Sequence, residues 1–335
     1  MSLVAPDPLA PPPLRWGILG PGWIAETFAD AVRRTRSEVV AVGSRSVDRA
    51  ERFAAAYGIG TAHAGYEALV ADPAVEAVYV ASPHSEHRAH ALLAIAAGKH
   101  VLVEKAFTRN EAEAREVVDA ARAAGVFLME AMWTRFLPHM VAARGVIARG
   151  EIGEVVSLAA DHGQAFGHVP PTHRLLDPAL AGGALLDLGV YPVAFAHDVL
   201  GAPTTISAAG VLTDTGVDGQ SAAVLGYGDR RQALVHTTQW ARTPTVAAIS
   251  GTQGRLTIAS DFYRPTSFEV VRDDGTRWGW DRPVDGGFQY QIAEVARCVA
   301  DGATESPLMS HRATLEVMAT MDEIRRQTGV RYPGE

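Results

Sequence analysis

A chain of 335 residues is too long for one comfortable hydrophobic core and reads as two domains. Its formal net charge of −8 argues against a nucleic-acid-binding surface, and its one cysteine, Cys298, excludes a disulfide framework and a clustered thiolate metal site. No run of eighteen uncharged apolar residues offers a membrane span, and the first thirteen residues, MSLVAPDPLAPPP, lack the basic start and apolar centre of a signal peptide, so the cytoplasm is the default expectation.

Taken in order, residues 1–13 hold five prolines and predict an extended arm or disorder. The stretch LRWGILGPGWIA at 14–25 follows. Leu14–Leu19 reads as a buried first strand, Gly20, Gly22 and Ala25 fit G-x-G-x-x-A, and Ile24, Phe28, Ala31 and Val32 then recur at helical spacing. A strand, a glycine turn and a helix in that order form a dinucleotide-binding opening. Gly20 permits the tight turn and Gly22 lets the backbone approach a pyrophosphate. The amides at the helix start, Trp23 and Ile24, face the phosphates.

Further strands are expected at 38–43, 75–81, 100–104 and 126–129, separated by helices at about 47–57, 85–97 and 110–124. Short apolar strands alternating with helices specify a doubly wound parallel sheet over 14–130. Residues 131–332 have another rhythm. A helix over 136–149 is followed by strand-like runs at 154–162, 204–212, 220–227, 231–239, 244–250, 255–259, 266–272 and 275–280, and helices are expected at 184–199, 288–301 and 311–328. Turns as short as Gly228-Asp229 leave no room for crossover helices, so this α+β domain should hold a large, mostly antiparallel open sheet. Helices on one face leave the other for a partner. A homodimer through that face, or a dimer of such dimers, is expected.

The end of the second strand selects the nucleotide. An acid there would accept hydrogen bonds from ribose hydroxyls. The chain instead has Gly43-Ser44-Arg45-Ser46, with Arg49 one turn on. Arg45, with the Ser44 hydroxyl, suits a 2′-phosphate, and Arg49 adds charge or stacks on adenine, which favours NADP(H) over NAD(H). Ligands bind beyond the carboxyl ends of parallel strands, where Ser82, Pro83, His84 and His87, then Glu104 and Lys105, then Trp133, Arg135 and Phe136 fall. Lys105 directly follows a buried HVLVE strand and is suited to stabilising charge on a substrate oxygen. His84, His87 and His90 step progressively round a helix with no acid or thiolate to complete a set, so no metal is assigned. His84 and His87 are expected to line the nicotinamide pocket and His90 the surface. Asp187 and Tyr191, four apart in the apolar run LLDLGVYPVAFA, share a helix face; the phenol suits proton transfer beside a cation such as Lys105, while packing and capping remain the structural alternative. Trp133, Arg135 and Phe136 are candidates for the substrate wall, with Arg174, His162 and Phe166 as further candidates.

These residues together resemble the glucose–fructose oxidoreductase / inositol dehydrogenase (Gfo/Idh/MocA) family across nearly all of 14–332. The similarity is carried by the glycine turn, AGKHVLVEK, RGEIGEV at 149–155 and GGALLDLGVYP at 182–192. MEAMWTRFLP at 129–138 and the tyrosine at 191 look most like the branch holding dimeric dihydrodiol dehydrogenase and NADP-linked xylose dehydrogenases. The resemblance implies hydride transfer between a nicotinamide and a cyclic polyol, a sugar or trans-dihydrodiol. It also implies that Lys105 binds the reacting hydroxyl, Tyr191 is the general acid/base and Asp187 completes the site. One departure is Ala106, where the family has a proline that commonly follows a cis peptide; the isomer here is left open. A non-catalytic nucleotide-binding sensor of the same fold is the alternative, and the presence of both Lys105 and Tyr191 speaks against it.

Overall fold

The computed structural model describes residues 5–166, 169–170 and 172–335, so residues 1–4 of the proline-rich arm lie outside the described residues. The chain opens with β1 (Arg15–Leu19), α1 (Trp23–Val32), β2 (Glu38–Ser44), α2 (Val47–Tyr57), β3 (Thr61–Ala64) and α3 (Tyr66–Ala71). There follow β4 (Ala77–Val80), α4 (His87–Ala96), β5 (His100–Glu104), α5 (Glu111–Ala124) and β6 (Leu128–Ala131). These six strands are parallel, in the order β3-β2-β1-β4-β5-β6. β4 is buried throughout and β5 in all but its first residue, as a sheet covered on both faces requires. Asn110 caps α5 by accepting the Glu113 N–H at 2.9 Å, and Gly125 ends it in the left-handed region at φ 66°.

Next come α6 (Pro138–Ala148), β7 (Val155–Gly163) and α7 (Val190–Leu200), then β8 (Thr205–Leu212), β9 (Asp218–Gly226) and β10 (Gln232–Thr238). The sheet is completed by β11 (Ala247–Gly251), β12 (Gly254–Ile258), β13 (Phe268–Arg272) and β14 (Arg277–Trp280), and α8 (Phe288–Ala300) and α9 (His311–Thr328) close the chain. The order of this eight-stranded sheet is β14-β13-β12-β11-β7-β10-β9-β8. Every neighbouring pair is antiparallel except β7 with β10. α7 covers the inner face against β7 and β10. The stretch 178–200 is long and apolar enough to resemble a membrane span, but it is 89% buried inside the fold, so its apolarity serves the core. On the outer face Ala159, Leu234 and Val224 stand in one cross-strand row, with Leu234 and Val224 among the exposed large apolar residues.

Two compact units result: Pro6–Trp133 with Gly286–Leu315, and Thr134–Asp285 with Glu316–Glu335. This differs from the contiguous 131–332 domain expected from the sequence. Residues 286–315 return to the first unit because α8 packs against α1, and because the Leu128 N–H donates to the Thr304 carbonyl at 3.0 Å. The arm from Pro6 onward belongs to the same unit: Pro6, Asp7 and Ala10–Pro12 line a pocket of about 200 Å³ with Ala293, Arg297 and Ala300 of α8.

Candidate active site

In the first unit, the turn between β1 and α1 has a shape that its own side chains do not explain. Gly20 sits at φ 96°, where a Cβ would also press on the Ala81 carbonyl at 3.3 Å. Gly22 has ordinary extended backbone, and a Cβ there would meet nothing within 4 Å. No side chain caps α1. Its first amides therefore have no side-chain cap and the space beside Gly22 is open, which fits the pyrophosphate of a dinucleotide. Trp23, at the first helical position, is 66% exposed, and Ile24 is half-buried.

Ser44 is buried at the end of β2, and its hydroxyl accepts the Ser46 N–H at 3.2 Å. Arg45 and Arg49 are exposed beyond it, and the Arg49 guanidinium reaches back to the Pro21 carbonyl at 3.4 Å. Two cations thus stand beyond the end of β2, with no acid at the strand end. His90, expected on the surface, is half-buried: its Nδ1 is 2.9 Å from the Ser82 hydroxyl and its ring lies 4.6 Å from that of Tyr66. Burial and the Arg45 charge both hold its pKa below the ordinary histidine value.

Histidines tie the next two strand ends together. His87 is fully buried, and its ring nitrogens face the carbonyl oxygens of Ser82 at 2.8 Å, Ala106 at 2.9 Å and Phe107 at 3.3 Å. His84 Nε2 is 3.2 Å from the Lys105 carbonyl. Burial pushes the His87 pKa down to about 4, and the three carbonyl oxygens pull the other way because they favour an N–H on each ring nitrogen. His84 and His87, expected to line the nicotinamide pocket, place these nitrogens against the backbone around Lys105 and the Ser82 carbonyl. The Lys105–Ala106 peptide is cis, which answers the question left by the missing proline. Pro83 is exposed between β4 and α4.

Glu104, the residue before Lys105, is buried and accepts hydrogen bonds from the Tyr79 hydroxyl and, at 3.2 Å, from the Lys105 N–H. Burial lifts its carboxyl to about 7. Because the folded value lies above the unfolded one, the stability that Glu104 contributes is full below about pH 4.5 and lost as pH rises through 7. Glu104→Gln keeps one oxygen to accept the Lys105 N–H and turns an amide N–H₂ toward the Tyr79 hydroxyl, which can accept, without the charge. It is expected to stabilise the fold by about 3 kcal/mol at pH 8 and to leave it unchanged near pH 4. Denaturant melts at the two pH values check this, and an equal effect at both would contradict it.

In the second unit, Leu185–Gly189 forms a wide π turn that runs directly into α7. π turns recur at functional sites. Asp187 and Tyr191 are both buried, at 9% and 7% exposure. Arg174, assigned from the sequence to the substrate, pairs with Asp187 at 3.1 Å. Two rings gather around Tyr191. The ring centroids of His162 and Tyr263 are 4.3 Å apart and stacked, those of Tyr191 and Tyr263 are 4.7 Å apart, and those of Tyr191 and His162 are 5.3 Å apart. His162 Nδ1 lies 3.2 Å from the Leu188 carbonyl and must donate to it, so Nε2 accepts from the Gln164 amide at 3.0 Å. That pairing fixes the His162 ring beside Tyr191.

Tyr263 and Gln164 were not anticipated. Gln164 lies two residues beyond His162 and was within reach of a strand-alternation argument. Tyr263 comes from a loop that no motif marks.

The remaining wall candidates divide. Trp133, in the first unit, is nearly buried with its ring 4.9 Å from Phe288. Phe136 is fully buried in the core of the second unit, where it cannot line an open pocket. Arg135 is buried against Asp198 at 3.3 Å, and Arg144 binds the same carboxylate at 2.7 Å and the Arg135 carbonyl at 2.6 Å. A buried carboxylate needs cationic partners, and Arg135 answers that need in place of the hydroxyl-orienting role expected of it. Phe166 is half-buried, with its N–H donating to the Gln239 carbonyl at 2.8 Å.

Comparisons with known proteins match both halves of the chain. A family described as an oxidoreductase family with an NAD-binding Rossmann fold (GFO_IDH_MocA) matches residues 14–132, and the GFO/IDH/MocA C-terminal domain matches residues 140–257. The chain is 38% identical over 367 residues to a D-xylose 1-dehydrogenase (NADP(+)) of Hypocrea jecorina, covering 96% of this chain and 93% of that enzyme. It is 38% identical over 334 residues to the trans-1,2-dihydrobenzene-1,2-diol dehydrogenase of Mus musculus, covering 96% and 98%. Among solved structures it is similar to a 3-ketoreductase from Actinomadura kijaniata in complex with TDP-benzene and NADP, with 29% identity, a TM-score of 0.83, and coverage of 95% of this chain and 98% of that one.

Proposed function

The chain belongs to the GFO/IDH/MocA oxidoreductase family, and from that premise we propose that it is an NADP(H)-dependent dehydrogenase or reductase acting on a cyclic polyol, a sugar or a trans-dihydrodiol. The observation that carries this reading is similarity over almost the whole chain to an NADP-linked sugar dehydrogenase and a dihydrodiol dehydrogenase, in a chain that keeps Lys105, Asp187 and Tyr191.

Bound NADP(H) supplies the hydride acceptor or donor. The chain's own residues do the rest. The amides of Trp23 and Ile24 receive the pyrophosphate, Gly22 leaves room for it, and Arg45 and Arg49 pair with the 2′-phosphate. Lys105 donates to the reacting oxygen and stabilises its charge as the carbon gains or loses hydride. Tyr191 takes the hydroxyl proton as the phenolate in oxidation and, as the phenol so formed, gives it back to the oxygen in reduction. Asp187, held by Arg174, orders the polar side of that site. Tyr263 and His162 give flat faces suited to the apolar side of a ring.

The exposed row of Leu234 and Val224 on the outer sheet face supports a homodimer through that face. Sedimentation velocity reads this directly, with a dimer expected and a monomer at micromolar concentration contradicting it.

The test of function follows the near-ultraviolet absorbance of reduced nicotinamide with NADP⁺ and NAD⁺ against aldoses, inositols and trans-dihydrodiols, and with NADPH against the matching keto compounds. Turnover of one class with preference for NADP⁺ is expected. Arg45→Ala should lose about 10- to 100-fold in kcat/KM for NADP⁺, the worth of a charge-assisted contact, and little for NAD⁺. Silence throughout, with tight NADPH binding retained, would overturn the enzymatic reading in favour of a nucleotide sensor.

A further inference from the structure

The helix that carries Asp187 and Tyr191 begins inside the core of the second unit, just after Gly182-Gly183. Its first amides cannot reach water there, and a buried helix start needs acceptors from elsewhere in the chain. Asp218, the first residue of β9 and fully buried, supplies one: its Oδ2 accepts the Leu185 N–H at 2.8 Å and the Ser221 hydroxyl at 3.1 Å. The fit is close. Gly183 sits at φ 119°, and a Cβ on it would stand 2.2 Å from Asp218 Oδ1; a Cβ on Gly182 would stand 2.6 Å from the Arg174 carbonyl. Glycine at 183 lets the chain run flat against that carboxylate, and glycine at 182 lets it pass the Arg174–Leu175 backbone. Burial lifts the Asp218 carboxyl to about 6, opposed by the Leu185 N–H it accepts at the helix start, where negative charge is favoured.

A second hold comes from the far end of the sequence. The Tyr332 hydroxyl, on a side chain 3% exposed, donates to the Gly182 carbonyl at 2.7 Å. Tyr332 is itself fixed. Arg325 lies 4.7 Å over its ring and binds Glu335 through both terminal nitrogens at 2.9 Å, and the Tyr332 N–H donates to Glu335 at 3.1 Å. Residues 330–335 thus fold back to brace the glycine pair from one side while Asp218 seats the helix from the other.

We propose that Asp218 and Tyr332 are positioning residues for the reaction: together they fix where the Asp187–Tyr191 helix starts, and so where the Tyr191 hydroxyl lies. This rests on the reading of Tyr191 as the proton-transfer group. A shift of a fraction of an ångström at a proton-transfer group lowers kcat without weakening a cofactor held elsewhere.

The full-length chain is tested as Tyr332→Phe, Asp218→Ala and Asp218→Asn, with Tyr191→Phe as the control. Steady-state kcat, KM for the polyol, NADPH affinity by fluorescence and the circular dichroism melt are read for each. Tyr332→Phe is expected to lose about tenfold in kcat and Asp218→Ala more. Polyol KM should change little, and NADPH affinity and the folded spectrum should be unchanged. Asp218→Asn keeps an oxygen for the Leu185 N–H and is expected to recover most of the activity lost by alanine. Full kcat in folded Tyr332→Phe would overturn the proposal, as would asparagine proving as damaging as alanine. So would parallel losses of kcat and NADPH affinity, which mark general loosening of the fold. If Tyr191→Phe abolishes turnover while Tyr332→Phe and Asp218→Ala keep it, the positioning proposal alone fails. If Tyr191→Phe keeps turnover, the reading of Tyr191 fails first.

Discussion

Tyr191→Phe is expected to lower kcat by about 10²- to 10⁴-fold while leaving NADPH affinity unchanged. The substitution removes one oxygen and keeps the ring, so the packing against Tyr263 and His162 survives. What is lost is the group that exchanges a proton with the substrate oxygen. His162 is the obvious substitute, and its hydrogen bonds forbid it: one nitrogen is committed to the Leu188 carbonyl and the other to the Gln164 amide. Steady-state rates with the preferred polyol check this. A kcat within a few-fold of the wild type would remove Tyr191 from the chemistry and leave it as packing.

Lys105→Ala is the second large effect. Removing one preorganised donor to a developing oxyanion costs about 10²- to 10³-fold in kcat. The backbone at this position is held independently of the side chain, by His84 on the Lys105 carbonyl and by Glu104 on its amide, so the variant should fold and melt like the wild type. The loss should appear in kcat and kcat/KM together, as for a contact that strengthens in the transition state. An unchanged kcat with a raised KM would mean that Lys105 only binds substrate. Full activity would remove it from the site.

Much of this was legible in the sequence because it rests on local rules. The glycine turn, the buried run HVLVE ending in Lys105, and the apolar segment around Asp187 and Tyr191 each announce themselves within a dozen residues. The parallel sheet follows from their alternation with helices. What escaped depends on partners distant in the chain. β3 reads TAHA, a short edge strand with no continuous apolar run, and is recognisable only once β2 offers it a ladder. Residues 286–315 look like the tail of the second domain until α8 is seen to bury its face on α1. Arg135 and Arg174 were marked as polar groups beside a site, but Asp198 and Asp187 claim them, and single-sequence reading cannot pair charges 63 or 13 residues apart. Tyr263 lies in an irregular loop and enters the site only through the fold. The cis bond at Lys105–Ala106 carried no local signal, since alanine gives none.

The central claim is that Lys105 and Tyr191 serve one step on one oxygen. The most direct test compares kcat for Lys105→Ala, Tyr191→Phe and the double variant, with NADP⁺ and the preferred polyol. Groups that act together in one transition state are non-additive, so the double variant is expected to be scarcely slower than the worse single one. A double variant slowed by the product of the two single losses would mean two independent contributions and would contradict the account.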